Sequence, residues 1–187
     1  MDERKWIERI LAGDTQSFSC LVAKYEKMAY TIALRILENR EEAEEAVQDA
    51  FVKMYRALSD FHFDSKFSTW FYRIVYRTAL TALRQQRMFV SYEEAGPVDL
   101  SNGEIESATA LLEREDRKEM IACTLKKLPA DEALLLTLYY LEECSVEEIC
   151  QITELSASNV KVKLFRGRKR FYEVLQDKMK LETADLL

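Results

Sequence analysis

The sequence predicts an all-α protein: two small helical domains joined by a flexible acidic linker, the C-terminal one containing a helix-turn-helix. Three observations predict it. Apolar residues recur at helical spacing along most of the chain, and no alternating run is long enough to make a strand of consequence. The periodicity fails once, from Ser91 to about Ser107, where Gly96, Pro97 and Gly103 fall among acids. Finally, Ser145 to Arg170, SVEEICQITELSASNVKVKLFRGRKR, reads as two helices around a tight turn. The boundaries implied are a first domain at 1–90, a linker at 91–112 and a second domain at 113–187.

The first helix is short, carries Trp6, Ile7, Ile10 and Leu11 on its apolar side, and ends near Gly13. Asp14 can cap the second, whose apolar positions are Phe18, Leu21, Val22, Tyr25, Met28, Ala29, Ile32 and Ile36. Asn39, with Glu42 three residues on, starts a third, striped by Ala43, Ala46, Val47, Ala50, Phe51, Met54 and Leu58. Ser65 or Ser68 opens a fourth, with Phe67, Trp70, Phe71, Ile74, Val75 and Leu83 inside. Such stripes bury against one another as a small bundle. Beyond the linker, Leu111, Leu112, Met120, Ile121, Leu125 and Leu128 restore the helical period, and Pro129 breaks it. Leu134, Leu135, Leu138 and Leu141 then make a helix apolar on most sides, the centre of the second domain.

In the helix-turn-helix, Ser145 and Glu148 form a capping box, and Val146, Ile149 and Cys150 give the helix its apolar face. Leu155 and Ser156 make the turn, and Ser156 or Ser158 caps the next helix. Val160 and Leu164 face inward, which turns Asn159, Lys161, Lys163 and Arg166 outward. A polar, basic second helix is what reading a major groove requires. Ser158, Asn159, Lys161 and Lys163 lie early enough to reach base edges, whereas Arg166, Arg168, Lys169 and Arg170 hold phosphates.

The formal net charge of −6 conceals a partition. Lys66 to Val90 holds five bases and no acid, and Lys161 to Arg170 holds six bases and no acid. Glu38 to Asp49 carries six acids and one base, and Ser91 to Asp116 carries eight acids and one base. Local sign governs attraction at distances near the Debye length, so two basic faces stand available to nucleic acid. From Phe61 to Arg87, a segment that takes in most of the first face, Phe61, Phe63, Phe67, Trp70, Phe71, Tyr72 and Tyr76 are interleaved with cations. Unpaired bases stack on π-faces while cations follow the backbone, so the combination suits single-stranded DNA. Phe67, Phe71 and Trp70 belong to the buried stripe. Phe61, His62, Phe63, Asp64 and Ser65 fall on a loop able to hold an unstacked base, with Lys66, Arg73, Arg77 and Arg84 as backbone or base contacts.

Other classes find little support. Cys20, Cys123, Cys144 and Cys150 include no CxxC pair and His62 is the one histidine, so neither a metal site nor a cofactor is expected. No Gly-rich phosphate loop or catalytic constellation is present, and no enzyme is expected. The N-terminus, MDERKWIERI, lacks the apolar core of a secretory signal, and no run approaches the length of a membrane span. The expectation is a cytoplasmic protein without membrane insertion.

With these helices placed, the chain resembles a bacterial RNA polymerase sigma factor of the extracytoplasmic-function (ECF, group IV) sigma-70 family from about Trp6 to Leu175. Ala43–Leu58 resembles the helix that docks on the polymerase β′ clamp, which implies a polymerase-binding rim of Glu45, Gln48, Asp49 and Lys53. Phe61–Arg84 resembles the segment that melts and reads the −10 element, and implies that the Phe61–Ser65 loop captures a −10 base. The Leu128-Pro129 start, the leucine-rich helix and the helix-turn-helix resemble the −35 reading domain. The resemblance implies a factor that joins core polymerase through β′ clamp and β flap, recognises both promoter elements and nucleates strand opening. Its partners would be promoter DNA, double- and single-stranded, and an anti-sigma factor; the linker would thread toward the polymerase active centre. Two departures stand out. Arg77 and Thr81 occupy positions where the family often has Asn and Asp, and Thr153-Glu154 stands where a Leu-Gly pair is usual. The residues alone also admit a helix-turn-helix regulator that acts without polymerase, or a helical protein–protein adaptor.

Overall fold

The computed structural model describes the backbone of residues 3–90 and 120–184, and the side chains of 3–86 and 120–177. The acidic linker lies outside the described residues, as do Leu111 and Leu112. Every regular element among those described is helical. In chain order they are α1 (Glu3–Leu11), α2 (Thr15–Leu37), α3 (Arg40–Arg56), a 3₁₀ turn at Leu58–Asp60 and α4 (Phe67–Val90). Then come α5 (120–126), α6 (Ala130–Tyr140), α7 (Val146–Thr153) and α8 (Ala157–Ala184).

Local chemistry sets the starts and stops. The Asp14 side chain accepts from the Gln16 N–H and caps α2. Asn39 accepts from the Glu42 N–H and caps α3. Between them Glu38 takes the left-handed conformation (φ 56°) that ends α2. The start of α4 differs from expectation. Neither serine caps it: Ser65 bonds the Lys66 carbonyl, and Ser68 already sits within the first turn.

The first domain packs α2, α3 and α4 around Leu21, Ile32, Met54, Phe71 and Val75, all essentially inaccessible to solvent. Ala29, Ala33, Ala43, Ala50 and Ala79 are equally buried and bring the helix axes close. Phe71 is the hub, with ring centroids 4.8 Å from Phe51, 6.0 Å from Tyr25 and 6.2 Å from Phe67. Such a ring contributes about 1.5–3 kcal/mol by leaving water. α1 closes one end through Ile7 and Ile10, tethered by Lys24 and Tyr25 to Glu3.

The second domain is centred on α6, buried continuously from Glu132 to Leu138. α8 crosses it at Gly167, where an added Cβ would stand 3.3 Å from both Glu132 Cβ and Leu136 Cδ1. Two helix-end leucines expected in the core, Leu11 and Leu141, are 54% and 57% exposed. Each sits at a terminus, where the period continues but no neighbouring helix covers the face. The two domains touch: α7 packs on α4 and α6 on α2, and Arg35 donates to the Leu125 carbonyl at 3.2 Å.

Candidate nucleic-acid interface

Three surfaces carry the residues singled out from the sequence. The first is α4 with the loop before it. Arg73, Arg77 and Arg84 are exposed and spaced by four and seven, so they share one face. His62, Phe63, Asp64 and Lys66 are exposed on the loop, and Ser65 is half-buried. Phe63 adopts φ 62°, uncommon for a bulky residue, which turns its ring outward at 39% exposure with the Arg4 guanidinium 4.6 Å from its centroid. Phe61 requires a correction. It is 7% exposed, with its ring against Phe63 (4.7 Å), Trp70 (5.1 Å) and Phe67 (5.4 Å). The core already occupies its faces, so no base can stack there; it supports the loop from below.

The second surface is the groove between α3 and α4. Glu45, Gln48, Asp49 and Lys53 are all exposed along its rim. Lys53 Nζ lies 3.0 Å from Asp49 and 3.3 Å from Thr78 Oγ1, which holds its stem across the groove. Val52, 46% exposed, adds an apolar floor that sequence periodicity had not singled out, together with Gln85 from α4. An exposed valine between polar residues one turn apart was the available signal.

The third is the helix-turn-helix. The capping box is complete: the Glu148 N–H donates to Ser145 Oγ (3.1 Å), and the Ser145 N–H donates to Glu148 Oε2 (2.8 Å). The turn is made with Glu154 in the left-handed region, φ 62°. Ser156 receives the Asn159 N–H at 3.3 Å and begins α8, while Ser158 Oγ lies 3.2 Å from Ser156 Oγ. Val160 and Leu164 face inward, and Ser158, Asn159, Lys161, Arg166, Arg168 and Lys169 are exposed. Lys163 and Arg170 are engaged within the domain. Lys163 pairs with Asp131, and Arg170 Nη1 lies 3.1 Å from Glu132 Oε2. Burial works against ionisation of Asp131, but the Lys163 ammonium outweighs it and holds that carboxyl below the ordinary range.

Acids of the second domain meet cations of the first. Glu154 Oε1 accepts from Arg73 Nη2 (3.3 Å), from Arg77 Nε (2.9 Å) and from Arg77 Nη2. Lys66 Nζ lies 3.0 Å from Glu148 Oε1, and the buried Tyr72 hydroxyl donates to Glu142 Oε2 at 2.7 Å. The hydrogen bonds from Arg77 and then Arg73 hold the Glu154 carboxyl below its ordinary value. Burial opposes ionisation of Glu148, yet the Ser145 N–H and Lys66 hold it low as well. The sequence marks Glu148 as a cap and Glu154 as a departure from the family pattern, but the pairing of these acids and Glu142 with α4 was not legible, because each partner lies 70 or more residues away.

Among the described residues no cluster of His, Cys, Asp and Glu could hold a metal ion, and no helix is long and apolar enough to cross a membrane. Burial raises the Cys144 thiol to about 11, so that cysteine is inert packing.

A helical bundle with a basic, aromatic-flanked helix, followed by a capped helix-turn-helix with a cationic second helix, defines a two-part DNA-binding protein. Residues 21–88 match the family described as Sigma-70 region 2, and residues 118–171 match Sigma-70, region 4. The chain is 32% identical over 181 residues to the RNA polymerase sigma-H factor of Pseudomonas aeruginosa, covering 93% of this chain and 94% of that protein. It is 31% identical over 170 residues to the ECF RNA polymerase sigma-E factor of Escherichia coli K12, with 87% and 88% covered. Among solved structures, the sigma factor RpoE in complex with the anti-sigma factor NepR from Bartonella quintana shares the fold. Its TM-score is 0.67 at 18% identity, over 87% of this chain and 98% of that one. CnrH in complex with the cytosolic domain of CnrY gives 0.61 at 21% identity, over 94% and 97%. The chain belongs to the ECF sigma-70 family of RNA polymerase sigma factors.

Proposed function

We propose that this chain is the dissociable promoter-specificity subunit of RNA polymerase, with a distinct task for each of the three surfaces. The rim of Glu45, Gln48, Asp49 and Lys53 docks on the β′ clamp of core polymerase. The α4 face and the 62–66 loop take up the −10 strand as it opens. α8 lies in the major groove of the −35 element, with Ser158, Asn159 and Lys161 toward bases and Arg166, Arg168 and Lys169 toward phosphates. Opening a duplex costs about 1.4 kcal/mol per base-pair step. Stacking on exposed rings at about 1–3 kcal/mol per base offsets much of it. No bond chemistry is required of the chain, which acts by binding energy alone. An anti-sigma factor that covers these surfaces would silence it; the structural neighbour RpoE is solved in complex with an anti-sigma factor, NepR.

The observation that carries this reading is the row Arg73, Arg77 and Arg84, exposed on one face of α4 in a segment without a single acid. An ordinary solvated helix mixes signs.

The test is size-exclusion co-elution with bacterial core RNA polymerase, wild type beside Gln48→Ala/Asp49→Arg. Both positions are exposed, so the variant keeps its helicity by circular dichroism. The wild type should co-elute and the folded variant should not. A wild type that elutes alone, and binds duplex DNA as a dimer, overturns the reading.

A further inference from the structure

Three of the four cations placed on the α4 face are not free. Lys66, Arg73 and Arg77 each meet a carboxylate of the helix-turn-helix domain, and Tyr72 between them is fixed to a third. Glu142 in the turn before α7, Glu148 in the first turn of α7 and Glu154 at its C-cap therefore lie along α4. The same guanidinium edge cannot bond a Glu154 oxygen and a phosphate oxygen together. α8 is different: Asn159, Lys161 and Arg166 remain exposed and engage no acid of the first domain.

We propose that this closed arrangement is an autoinhibitory clasp. In the free protein the helix-turn-helix domain shuts over the single-strand face of α4 and leaves the duplex-reading helix open. The clasp rests on the assignment of the α4 face as a single-strand surface in the reading above. Its backbone geometry is consistent with a specialised role. Glu154 is held at φ 62°, where glycine would sit without strain, and its side chain at that point faces both arginines. The pairs are half-exposed, so each is weak and exchangeable. A surface that offers phosphates, or a partner that holds the domains apart, can displace them.

The experiment compares the full-length wild type with Glu148→Gln/Glu154→Gln. Glutamine keeps the length and the β-carbon, so the left-handed turn is unchanged. A control, Glu41→Gln/Glu44→Gln, removes two exposed acids of α3 and matches the change in net charge. Small-angle X-ray scattering reads domain separation, and fluorescence anisotropy reads binding of a labelled single-stranded oligonucleotide and of a labelled duplex. The clasp variant should have a larger radius of gyration than wild type and control. It should bind single strands about three- to tenfold more tightly than the control does, as loss of three weak pairs implies, with duplex binding equal in both. The charge exchange Arg77→Glu/Glu154→Arg should restore the compact radius that Glu154→Arg alone expands. Scattering identical to wild type, or equal single-strand affinity in variant and control, overturns the clasp. The radius of gyration needs neither DNA nor polymerase. Failure to co-elute with core enzyme therefore sinks the sigma assignment while compaction is judged separately.

Discussion

Arg170 belongs by sequence to a phosphate-binding cluster and by structure to the frame of its own domain, and the two roles predict different numbers. Its Nη1 lies 3.1 Å from Glu132 Oε2, on a glutamate whose side chain is 8% exposed while the arginine side chain is 50% exposed. Removal of one partner from a fully buried pair costs about 3–5 kcal/mol, because a charge is left without compensation. An exposed pair is worth about 0–1 kcal/mol. With one partner buried and the other half in water, Arg170→Ala should cost about 1.5–2.5 kcal/mol between those limits. A domain the size of the second loses about 4–8 °C of melting temperature per kcal/mol, so its transition should fall by about 6–20 °C. Thermal unfolding followed by far-ultraviolet circular dichroism measures it. Glu132→Ala/Arg170→Ala should recover part of the loss, since no orphaned carboxylate remains. The reasoning fails if Arg170→Ala melts with the wild type while its duplex-binding salt slope drops by about one unit, the mark of a lost phosphate contact.

Other outcomes follow from the same geometry. Phe71→Ala removes the fully buried hub of the first domain and should cost about 3–5 kcal/mol in a denaturant titration; a loss below about 1 kcal/mol would mean that the aromatic cluster is not close-packed. Glu154→Gly should raise the melting temperature and expand the chain together, because it relieves the left-handed φ and deletes the acid; Glu154→Gln should expand it without the stability gain. The clasp should also respond to acid. Glu148 and Glu154 are depressed below the ordinary 4.5, so their contribution is present above that value and is lost as pH falls through the lower closed-state values. Lys66, raised above 10.5 by Glu148, contributes until pH rises through its elevated value. The radius of gyration should therefore stay flat from neutral pH down to about 5 and grow only below 4.5, with helicity retained. Expansion that begins near neutral pH would contradict it.

How far the sequence could be read depended on the range of each interaction. Asp14, Asn39 and Ser145 announce helix starts because a cap is settled within three residues. The start of α4 falls at Phe67, between the two serines the sequence offers, and the cap was not legible because the loop geometry uses neither hydroxyl. Aromatic–basic interleaving marked the right stretch but could not separate Phe61 from Phe63. Both are phenylalanines in a polar loop, and only packing against Phe67 and Trp70 buries the first. The basic cluster on α8 likewise hid Lys163 and Arg170, whose acids sit on α6, about thirty to forty residues away. The two departures from the family pattern, Arg77 and Glu154, looked unrelated in the sequence. In the fold they are hydrogen-bonded partners.

That pairing bears on how a chain of net charge −6 can serve as a DNA-binding subunit. If its acids were spread evenly, they would weaken both basic faces at once. They are instead placed so that one face is covered and the other is left open. Glu148 and Glu154 answer the cations of α4, whereas Asp131 and Glu132 take Lys163 and Arg170 and leave the outer residues of α8 to solvent. Duplex DNA presents its phosphates before any strand has opened, and the open face is the one suited to it. The single-strand face becomes useful only when strands part, and it is the one held shut by weak, screened pairs. A docked polymerase that separates the two domains would release Lys66, Arg73 and Arg77 together, at the step where displaced phosphates replace the carboxylates. The clasp would thereby tie single-strand capture to assembly, and a free chain would spend little time on single-stranded DNA elsewhere in the cell.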